Sequence, residues 1–517
     1  MAKGRAVVAA CLYGSRVAGY ARPDSDVDIL VVLENYPYIV KYVYFSESGM
    51  KVAALAVDKR ALERDAKNAF LGEFVVGRLL HVYEPVANPE FLAAVERTFK
   101  RRVILEEVQD IVSSRGVLST EIIFPLEFIV FSKIKHRMSM HPAAAYSYYK
   151  TYTASKRNLE FTLEGYRRAL ADVIAEDREL FTARQDGLLQ ISDRRVSVEK
   201  GRIRLRLTGR LQEFGSYFVH TYAGREVMHL AITEAESKIR RRGKAVELPD
   251  FMVCPRQVYW KLPEGKLVTG RDWLGELGYS VKAKKRLGDV NSRTMLYVLR
   301  DGRRVAVKEL AKTKAVKWAA LSVWTAPVKR FKIDPLFRLG SEYKAIRYIR
   351  SLGLRTPAIE AVVLDRRILV TQFIEGQTLA DVIRDCIRGR NDGGLMSKVG
   401  AQIAKIHNAG SSLGNIKPKN VIVSGTDLYF TDVEQFMFQA SDPAWDLAQF
   451  ISWGLKGTSN IHIATSITRE FLEGYVAVAG SGNVARLAKS RRYIESFYPV
   501  LSPAVARAIK KEIRETA

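Results

Sequence analysis

The sequence predicts a multidomain α+β protein, and three observations support this fold class. The chain has 517 residues, which exceeds one ordinary hydrophobic core and favours two to four domains. Residues 1–100 alternate short apolar strands with turns and one helical stretch, which is typical of a mixed sheet with helices. A second strand-rich pattern begins near residue 280 and gives way to helices. We therefore predict domains at 1–100 and 280–517, joined by a helical and basic region at 101–279.

The composition predicts an anionic partner and excludes wholesale disorder. The chain carries 82 Lys and Arg against 56 Asp and Glu, a net charge of +26, and 47% of its residues are hydrophobic. This excess favours nucleic acid such as RNA, nucleotides or a membrane surface, with a generally basic proteome as the alternative. Cys11, Cys254 and Cys386 lie too far apart for a metal motif or an evident disulfide framework, as in a reducing cytoplasm. Without a signal peptide or a long apolar run, we expect a cytoplasmic protein without a membrane partner.

Two acids and a Gly-Ser turn near the N-terminus predict a nucleotide site. Asp26 and Asp28 lie two residues apart in an apolar strand, so their side chains share one face. Adjacent carboxylates repel unless a cation lies between them, and Mg²⁺ (or Mn²⁺) prefers oxygen ligands and bridges to phosphate. Gly14 lets the backbone approach a phosphate, and Ser15 adds a hydroxyl and an N–H. The alternative is a solvated pair of acids at a strand edge.

The run from Gly14 to Asp28 resembles the signature of the DNA polymerase β-type nucleotidyltransferases, especially the small minimal members. The resemblance implies a catalytic and metal-binding role for Asp26 and Asp28, and binding of ATP or another NTP by Gly14 and Ser15. The superfamily usually has a third carboxylate on a later strand. Here that strand, residues 51–57, has alanine at the expected position, so Asp58 becomes the third catalytic candidate and Glu47 a weaker one.

The middle region, 101–279, is predicted to be helical and basic. Helical periodicity covers residues 106–112 and 157–180, and the tyrosine-rich stretch 143–152 predicts a helix that either packs its aromatic rings or stacks bases. Alternation over 194–210 predicts a hairpin with an arginine-rich face, and 238–244 is a basic run. These two features are either solvated or bind an anion. A helical acceptor-binding domain at this place is implied by the resemblance.

A second group of residues after position 280 predicts another nucleotide site. Lys308 alternates out of an apolar strand and can reach a phosphate, and Glu342 lies on a helix that could pair with it. Asn420 follows a Pro-containing loop, and Asp432 ends a later strand. Both supply oxygen atoms suited to Mg²⁺.

Residues 280–517 resemble the bilobal protein-kinase-like fold, with features of the RIO kinases and the KEOPS-complex kinase. The similar segments are 352–357 after the Glu342 helix, 373–379 at the hinge and 442–450 in a structural helix. The resemblance implies that Lys308, Glu342, Asn415 and Asn420 bind ATP, with Asn420 and Asp432 holding the metal.

This sequence departs from the pattern of active kinases at three positions. Kinases carry an aspartate at the position of Asn415, where it accepts the proton of the substrate hydroxyl, and an amide cannot do this. Glu434 replaces the glycine that normally ends the metal-binding triplet. The loop expected to cover the phosphates has a single glycine, Gly288. These differences favour ATP binding over phosphoryl transfer and predict a kinase-like domain with pseudokinase character.

The sequence therefore predicts a metal-dependent nucleotidyltransferase fused to an ATP-binding kinase-like domain. It would transfer NMP from an NTP to a hydroxyl of RNA such as tRNA, of a protein or of a small molecule. One alternative is an active atypical Ser/Thr kinase whose N-terminal module only binds nucleotide or substrate. Another is an RNA-binding scaffold without catalysis.

Overall fold

The structure, a computed structural model, describes residues 4–140, 145–199, 202–205, 259–287, 294–310, 334–389, 394–438 and 442–517. It confirms the multidomain α+β class. The chain divides into two compact units: the first comprises Met1–Ser114 and Ile122–Lys261, and the second Arg115–Glu121 and Leu262–Ala517. The predicted three-part division at residues 100 and 279 stays a prediction. Residues 238–244 and Gly288 lie outside the described residues.

A five-stranded mixed sheet forms the core of the first unit. Its strands are β1 (Val7–Tyr13), β2 (Val27–Leu33), β3 (Val40–Glu47), β4 (Met50–Asp58) and β5 (Glu84–Ala87). Their order across the sheet is β3-β4-β2-β1-β5, and the β2–β4 pair is parallel while the other three pairs are antiparallel. The inner strand β4 is apolar on both faces and buries residues 53–57, so the sheet is covered on both sides in this region.

Among the described residues of this unit, the α-helices are α1 (Lys59–Asn68), α2 (Pro89–Arg115), α3 (Leu126–Met140), α4 (Ala145–Ala154) and α5 (Lys156–Glu176). In the tyrosine-rich helix α4, Tyr148 and Tyr152 are buried and pack against the ring of His81. These two tyrosines therefore serve packing. Short strand pairs follow, β6 (Ile123–Phe124) with β7 (Leu189–Gln190) and the predicted hairpin of β8 (Val196–Glu199) and β9 (Arg202–Leu205).

The second unit opens with a six-stranded sheet. Its strands are β10 (Lys266–Val268), β11 (Val281–Leu287), β12 (Thr294–Leu299), β13 (Arg304–Glu309), β14 (Ile359–Val363) and β15 (Ile368–Gln372). Their order is β10-β14-β15-β13-β12-β11. The short helix α6 (Trp273–Glu276) lies between β10 and β11, and α7 (Pro335–Ser351) lies between β13 and β14. The apolar residues of β13, β14 and β15 share one core with Trp273 and Val268.

The remainder of the second unit is mainly helical. The helices are α8 (Leu379–Ile387), α9 (Leu395–Asn408), α10 (Pro443–Gly454), α11 (Ile461–Ala479), α12 (Gly482–Lys489), α13 (Arg491–Glu495) and α14 (Pro503–Thr516). A small antiparallel sheet of β16 (Gln377–Thr378), β17 (Val421–Ser424) and β18 (Asp427–Phe430) carries the loops that hold Asn420 and Asp432. Within the described ranges, every helix is too short or too polar to cross a bilayer.

Candidate active sites

The Gly14 turn and Asp28 form the centre of the N-terminal site. Gly14 follows β1 with a φ angle of +80°, a conformation that favours glycine. A Cβ atom placed on Gly14 would lie 2.1 Å from Oδ2 of Asp28, so the backbone of the turn contacts the carboxylate directly. The following residues form a single helical turn, in which Ala18 N–H donates to the Gly14 carbonyl, and not the start of a longer helix.

The loop from Gly14 to Asp26 is held by polar contacts at both ends. Arg16 donates from Nε and Nη2 to the Ser25 carbonyl at 3.2 and 2.5 Å. Asn158 of α5 is buried and donates to the Ala18 carbonyl at 2.9 Å. The hydroxyl of Tyr20 donates to the Ser147 carbonyl of α4 at 3.3 Å. Helices α4 and α5 therefore position the turn that approaches Asp28.

The strand register explains why two acids, and not three, meet at this edge. Asp28 pairs with Tyr13 of β1 and with Ala53 of β4, and Asp26 lies just before β2. Both acids are half-buried. The β4 position beside Asp28 is thus alanine, as the sequence predicts. No group of three or more His, Cys, Asp or Glu suited to a metal ion occurs among the residues that the structure describes.

Asp58 lies at the far end of β4 and caps helix α1. It pairs in register with Leu33, five positions along β2 from Asp28. Its Oδ1 accepts from the N–H groups of Arg60 and Ala61 at 3.0 and 3.2 Å, and its Oδ2 accepts from Tyr36 N–H at 2.8 Å. The structure therefore does not bring Asp58 together with Asp26 and Asp28, because the carboxylate serves as an N-cap. Glu47 ends β3 at an exposed turn.

Arg78 adds a positive charge beside this site that the sequence reasoning missed. Its guanidinium donates to the Tyr42 hydroxyl at 2.9 Å and lies 5.4 Å from the ring centre of Tyr13. Tyr13 is buried on the face that carries Asp28. Burial raises the pKa of Tyr13 well above its usual range, and Tyr42 and Asp28 raise it further while Arg78 opposes them. The residue lies in a short 3-10 helix, Val76–Leu80, far along the chain from Tyr13, so no local pattern indicated it.

The predicted residues of the C-terminal site do meet. Lys308 Nζ of β13 lies 2.9 and 2.8 Å from the two carboxylate oxygens of Glu342 on α7, and 2.5 Å from Oδ1 of Asp432. Asn420 Nδ2 donates to Oδ2 of Asp432 at 3.4 Å and to the Asn415 carbonyl at 3.3 Å. A lysine, two acids and an amide thus converge where phosphates and a hard cation would bind.

Glu434 joins this cluster and changes its charge. It is buried, lies 3.3 Å from Lys308 Nζ and pairs at 3.1 Å with Arg338, which is fully buried. Arg338 precedes Glu342 by four residues on α7, so both residues lie on the same face of that helix. When ionised, the carboxylates of Glu342, Asp432 and Glu434 exceed the two cations by one negative charge. A cation held by the oxygen atoms of Asp432 and Asn420 would offset this excess of negative charge.

The pKa values in this cluster reflect the competition between burial and charge. Burial lowers the pKa of Lys308, but Asp432, Glu342 and Glu434 outweigh burial and hold it well above its usual range. Burial raises the pKa of Glu342 against the opposing effect of Lys308, and Glu434 and Asp432 raise it further. The lysine therefore stays charged.

The loop that carries Asn415 is rigidly held. Buried Asp446 of α10 accepts from Leu413 N–H at 2.6 Å and from Gly414 N–H at 2.8 Å, and it pairs with His407 Nε2 at 3.2 Å. Asn415 is itself buried, and its Oδ1 accepts from Gln449 Nε2 at 3.3 Å. The loop is therefore held by buried polar contacts, and the side chain of Asn415 is a neutral amide that is already hydrogen-bonded.

The segment 115–121 packs against helix α7. A Cβ on Gly340 would lie 2.7 Å from Leu118 N, so the two backbones are in close contact. Lys344 Nζ donates to Thr120 Oγ1 at 3.0 Å, and Arg347 pairs with buried Glu121. The segment follows α2 directly in the chain. It contacts the helix that carries both Glu342 and Arg338.

Comparison with known proteins gives matches to a nucleotidyltransferase family and to a kinase homologue. The sequence profile of the family described as "Polymerase beta, Nucleotidyltransferase" matches residues 1–82. The "Probable serine/threonine-protein kinase BUD32 homolog" of Archaeoglobus fulgidus is 30% identical over 179 residues, which cover 32% of this chain and 85% of that protein.

Two further relatives carry the name "Probable bifunctional tRNA threonylcarbamoyladenosine biosynthesis protein". The one from Methanothermobacter thermautotrophicus is 26% identical over 140 residues, which cover 27% of this chain and 24% of that protein. The one from Methanobrevibacter smithii is 32% identical over 91 residues, which cover 18% of this chain and 15% of that protein.

The fold and site of the second unit define a protein-kinase-like protein, with Lys308 and Glu342 paired beside Asn420 and Asp432. Because the match covers 85% of the Archaeoglobus protein at 30% identity, the chain belongs to the family of BUD32-type kinase homologues. Its first 82 residues match a nucleotidyltransferase family, so the chain combines a nucleotidyltransferase module with a kinase-like module.

Proposed function

We propose that the N-terminal module transfers NMP from an NTP to an acceptor hydroxyl. The observation that carries this proposal is the direct contact between the Gly14 backbone and Asp28, with Asp26 two residues away at the same sheet edge. Gly14 and Ser15 would bind the triphosphate, and Asp26 and Asp28 would hold Mg²⁺. The metal would neutralise charge at the transferring phosphate. Asp58 has no part in this proposal, because its carboxylate caps α1.

In this reaction the acceptor hydroxyl oxygen attacks the α-phosphorus and its proton passes to solvent. The bond from that phosphorus to the bridging oxygen breaks, and pyrophosphate leaves. The chain would orient the reactants through the rigid turn at Gly14, which positions the triphosphate against Asp28. Because Ala53 occupies the position of a third acid, Asp26 and Asp28 would hold a single metal ion. Transfer would then depend mainly on positioning and charge neutralisation.

We further propose that the kinase-like unit binds ATP without efficient phosphoryl transfer. Lys308 would contact the phosphates, and Asn420 and Asp432 would hold Mg²⁺. Asn415 cannot accept a proton as a carboxylate does, and its amide oxygen already accepts a hydrogen bond from Gln449. The names of two relatives refer to tRNA modification, and the net charge of +26 fits an anionic substrate. Both favour an RNA acceptor such as tRNA over a protein or small-molecule acceptor.

Labelled nucleotides separate the two activities. The full chain is incubated with Mg²⁺, total cellular RNA or protein, and NTPs labelled at either the α- or the γ-phosphate. NMP transfer incorporates only the α-label, and the Asp26→Asn/Asp28→Asn double variant should lose at least about 100-fold of it. Asp24→Asn is the matched control, since Asp24 is an exposed acid in the same loop. Equal incorporation by wild type and the double variant would exclude the proposal.

An active kinase is the second candidate, favoured by the intact Lys308–Glu342 pair and by the loop scaffold around Asp446. It predicts incorporation of the γ-label that is lost in Asp432→Asn and kept in the Asp26/Asp28 double variant. Asn415→Asp should then raise incorporation, since it restores a proton acceptor. Salt-dependent RNA binding without incorporation of either label would instead indicate a non-catalytic scaffold.

A further inference from the structure

An exposed tyrosine stack lies on the same sheet face as Asp28. Tyr44 of β3 is 67% exposed, although most large aromatic side chains of the described residues are buried or half-buried. Its ring stacks on that of Tyr42, with a centroid distance of 5.7 Å and an interplanar angle of 12°. Together with Lys51 of β4, we name these residues the Tyr44 platform.

Strand register places the platform beside the two acids. Tyr44 pairs with Ala53, and Ala53 pairs with Asp28, so the three side chains share one face of the sheet. Two strand spacings, roughly 10 Å, separate Tyr44 from Asp28. Lys51 lies two residues before Ala53 and therefore on the same face, at the edge where Asp26 enters β2.

The less exposed ring of the stack, that of Tyr42, is held in place by neighbouring side chains. Tyr42 accepts a hydrogen bond from Arg78 at 2.9 Å and contacts the Phe74 ring edge-on at 6.2 Å. Tyr42 therefore acts as a rigid support, and Tyr44 presents its outer surface to solvent. Exposed aromatic rings that are held in this way suit stacking of a planar base, which every nucleotide provides.

The position of the platform identifies which reactant it would contact. Gly14 and Ser15 lie on the β1 side of Asp28, whereas Tyr44 and Lys51 lie on the β3–β4 side. In an in-line displacement the leaving and attacking oxygens are on opposite sides of the phosphorus. With the triphosphate on the β1 side, the attacking hydroxyl comes from the side of the platform. At the β4 position between Asp28 and Tyr44, the small side chain of Ala53 carries no charge.

We infer that the Tyr44 platform is the acceptor subsite and that the acceptor is the hydroxyl-bearing end of a single-stranded nucleic acid. Tyr44 stacks the terminal base, and Lys51 contacts a phosphate of the strand. This inference rests on the proposed NMP transfer and specifies its acceptor class. The bonds that form and break are those of the proposed NMP transfer: the terminal hydroxyl oxygen attacks the α-phosphorus and pyrophosphate leaves.

The test measures binding and transfer separately in the full chain. Fluorescence anisotropy gives the affinity for a labelled 12-nucleotide single-stranded RNA, with single-stranded DNA and blunt duplex RNA as comparison probes. Tyr44→Ala should weaken single-strand binding about 10- to 100-fold, and Tyr44→Phe should retain it because the ring is kept. Phe45→Ala is the matched control, since Phe45 is also exposed but points to the opposite face. Lys51→Ala should reduce the salt slope of log K by about one.

Transfer of the α-label to the same oligonucleotide should fall in parallel with binding. Equal RNA affinity and equal transfer in Tyr44→Ala and Phe45→Ala would overturn the inference, as would α-label found on protein and not on the oligonucleotide. These results are distinct from failure of the proposed function, in which no acceptor receives the α-label. Melting temperatures of the two alanine variants within a few degrees of wild type would exclude unfolding as the cause. Preference for RNA over DNA would show that the ribose hydroxyl is also recognised.

Discussion

The two candidate sites differ in what holds their carboxylates. At the N-terminal site, Asp26 and Asp28 are half-buried, and the Gly14 backbone contacts the carboxylate of Asp28. At the C-terminal site, Glu342 and Glu434 are buried against Lys308 and Arg338. The first site depends on backbone shape and leaves its acids accessible to a cation. The second pairs its carboxylates with buried cations and keeps an excess of one negative charge.

The N-terminal unit also contains a buried charge cluster, but away from its acid pair. Glu73 lies 2.7 Å from Lys133, 2.9 Å from Arg102 and 2.9 Å from Arg137, and it is nearly inaccessible to solvent. Both units therefore contain buried ion pairs, but among the described residues those of the kinase-like unit lie within its candidate nucleotide site. Four predictions test this difference.

Glu434→Gln should give the largest effect. Removing this charge leaves the fully buried Arg338 guanidinium without the Glu434 carboxylate, and such changes cost about 3–5 kcal/mol of unfolding free energy. Chemical denaturation monitored by tryptophan fluorescence measures the loss. Glu375→Gln is the matched control, because Glu375 forms an ion pair of 2.7 Å with Arg304 at the surface. A similarly small loss of unfolding free energy in both variants would show that the buried Glu434–Arg338 pair contributes no more to stability than the surface Glu375–Arg304 pair.

Acid should destabilise the N-terminal unit through Glu73. Burial raises the pKa of this carboxyl, but Lys133, Arg102 and Arg137 outweigh burial and lower it to about 2. Since the pKa in the unfolded chain is about 4.5, the contribution to stability is present above that pH and is lost as the pH falls toward 2. The loss is about 3 kcal/mol by linkage.

Unfolding free energies between pH 6 and pH 2.5 test this expectation. Glu73→Gln should lower stability at pH 6 and flatten the dependence on pH, because the titrating group is gone. Glu63→Gln, at an exposed position of α1, should leave the slope as in wild type. Identical slopes in Glu73→Gln and wild type would contradict the assigned role.

Gly14→Ala should reduce NMP transfer about 100-fold. The added Cβ would lie 2.1 Å from Oδ2 of Asp28, so the turn or the carboxylate must move, and a displacement of about 1 Å at reacting groups has this effect. Gly19→Ala is a matched control with nearly the same φ, +79°, but open space around its Cβ. It should cost only about 1 kcal/mol of stability from backbone strain. Equal transfer rates in the two variants would remove Gly14 from the site.

Gly340→Ala should have the smallest effect, a loss of roughly 10-fold in ATP affinity. Its Cβ would displace the backbone of Leu118 or shift α7, which carries Glu342 away from Lys308. Isothermal titration with Mg·ATP measures the affinity. Gly482→Ala in α12, where a Cβ meets open space, should leave affinity unchanged. If Gly340→Ala binds ATP as wild type does, contact with 115–121 does not position α7.

The sequence by itself determined the fold class and the candidate site residues that lie in local patterns. Gly14 and Ser15 with the Asp26/Asp28 pair follow from alternation along one strand and a turn. The strand-rich pattern after residue 280 is likewise local: β12 (Thr294–Leu299) is an apolar run that an Asp-Gly turn follows. The absence of an acid beside Asp28 also followed from sequence, once the strand containing Ala53 was recognised.

Only the tertiary structure decided the contacts made by residues distant in the chain. It assigned Asp58 to the cap of α1, since the direction of a carboxylate at a strand end depends on the helix that follows. It placed Arg78 beside Tyr13 and Tyr42, and Arg338 against Glu434, because side-chain hydrogen bonds and ion pairs across 36 to 96 residues leave no periodic pattern in the sequence. It also placed exposed Tyr44 on the face of Asp28, since register across two strand pairs defines which side chains meet.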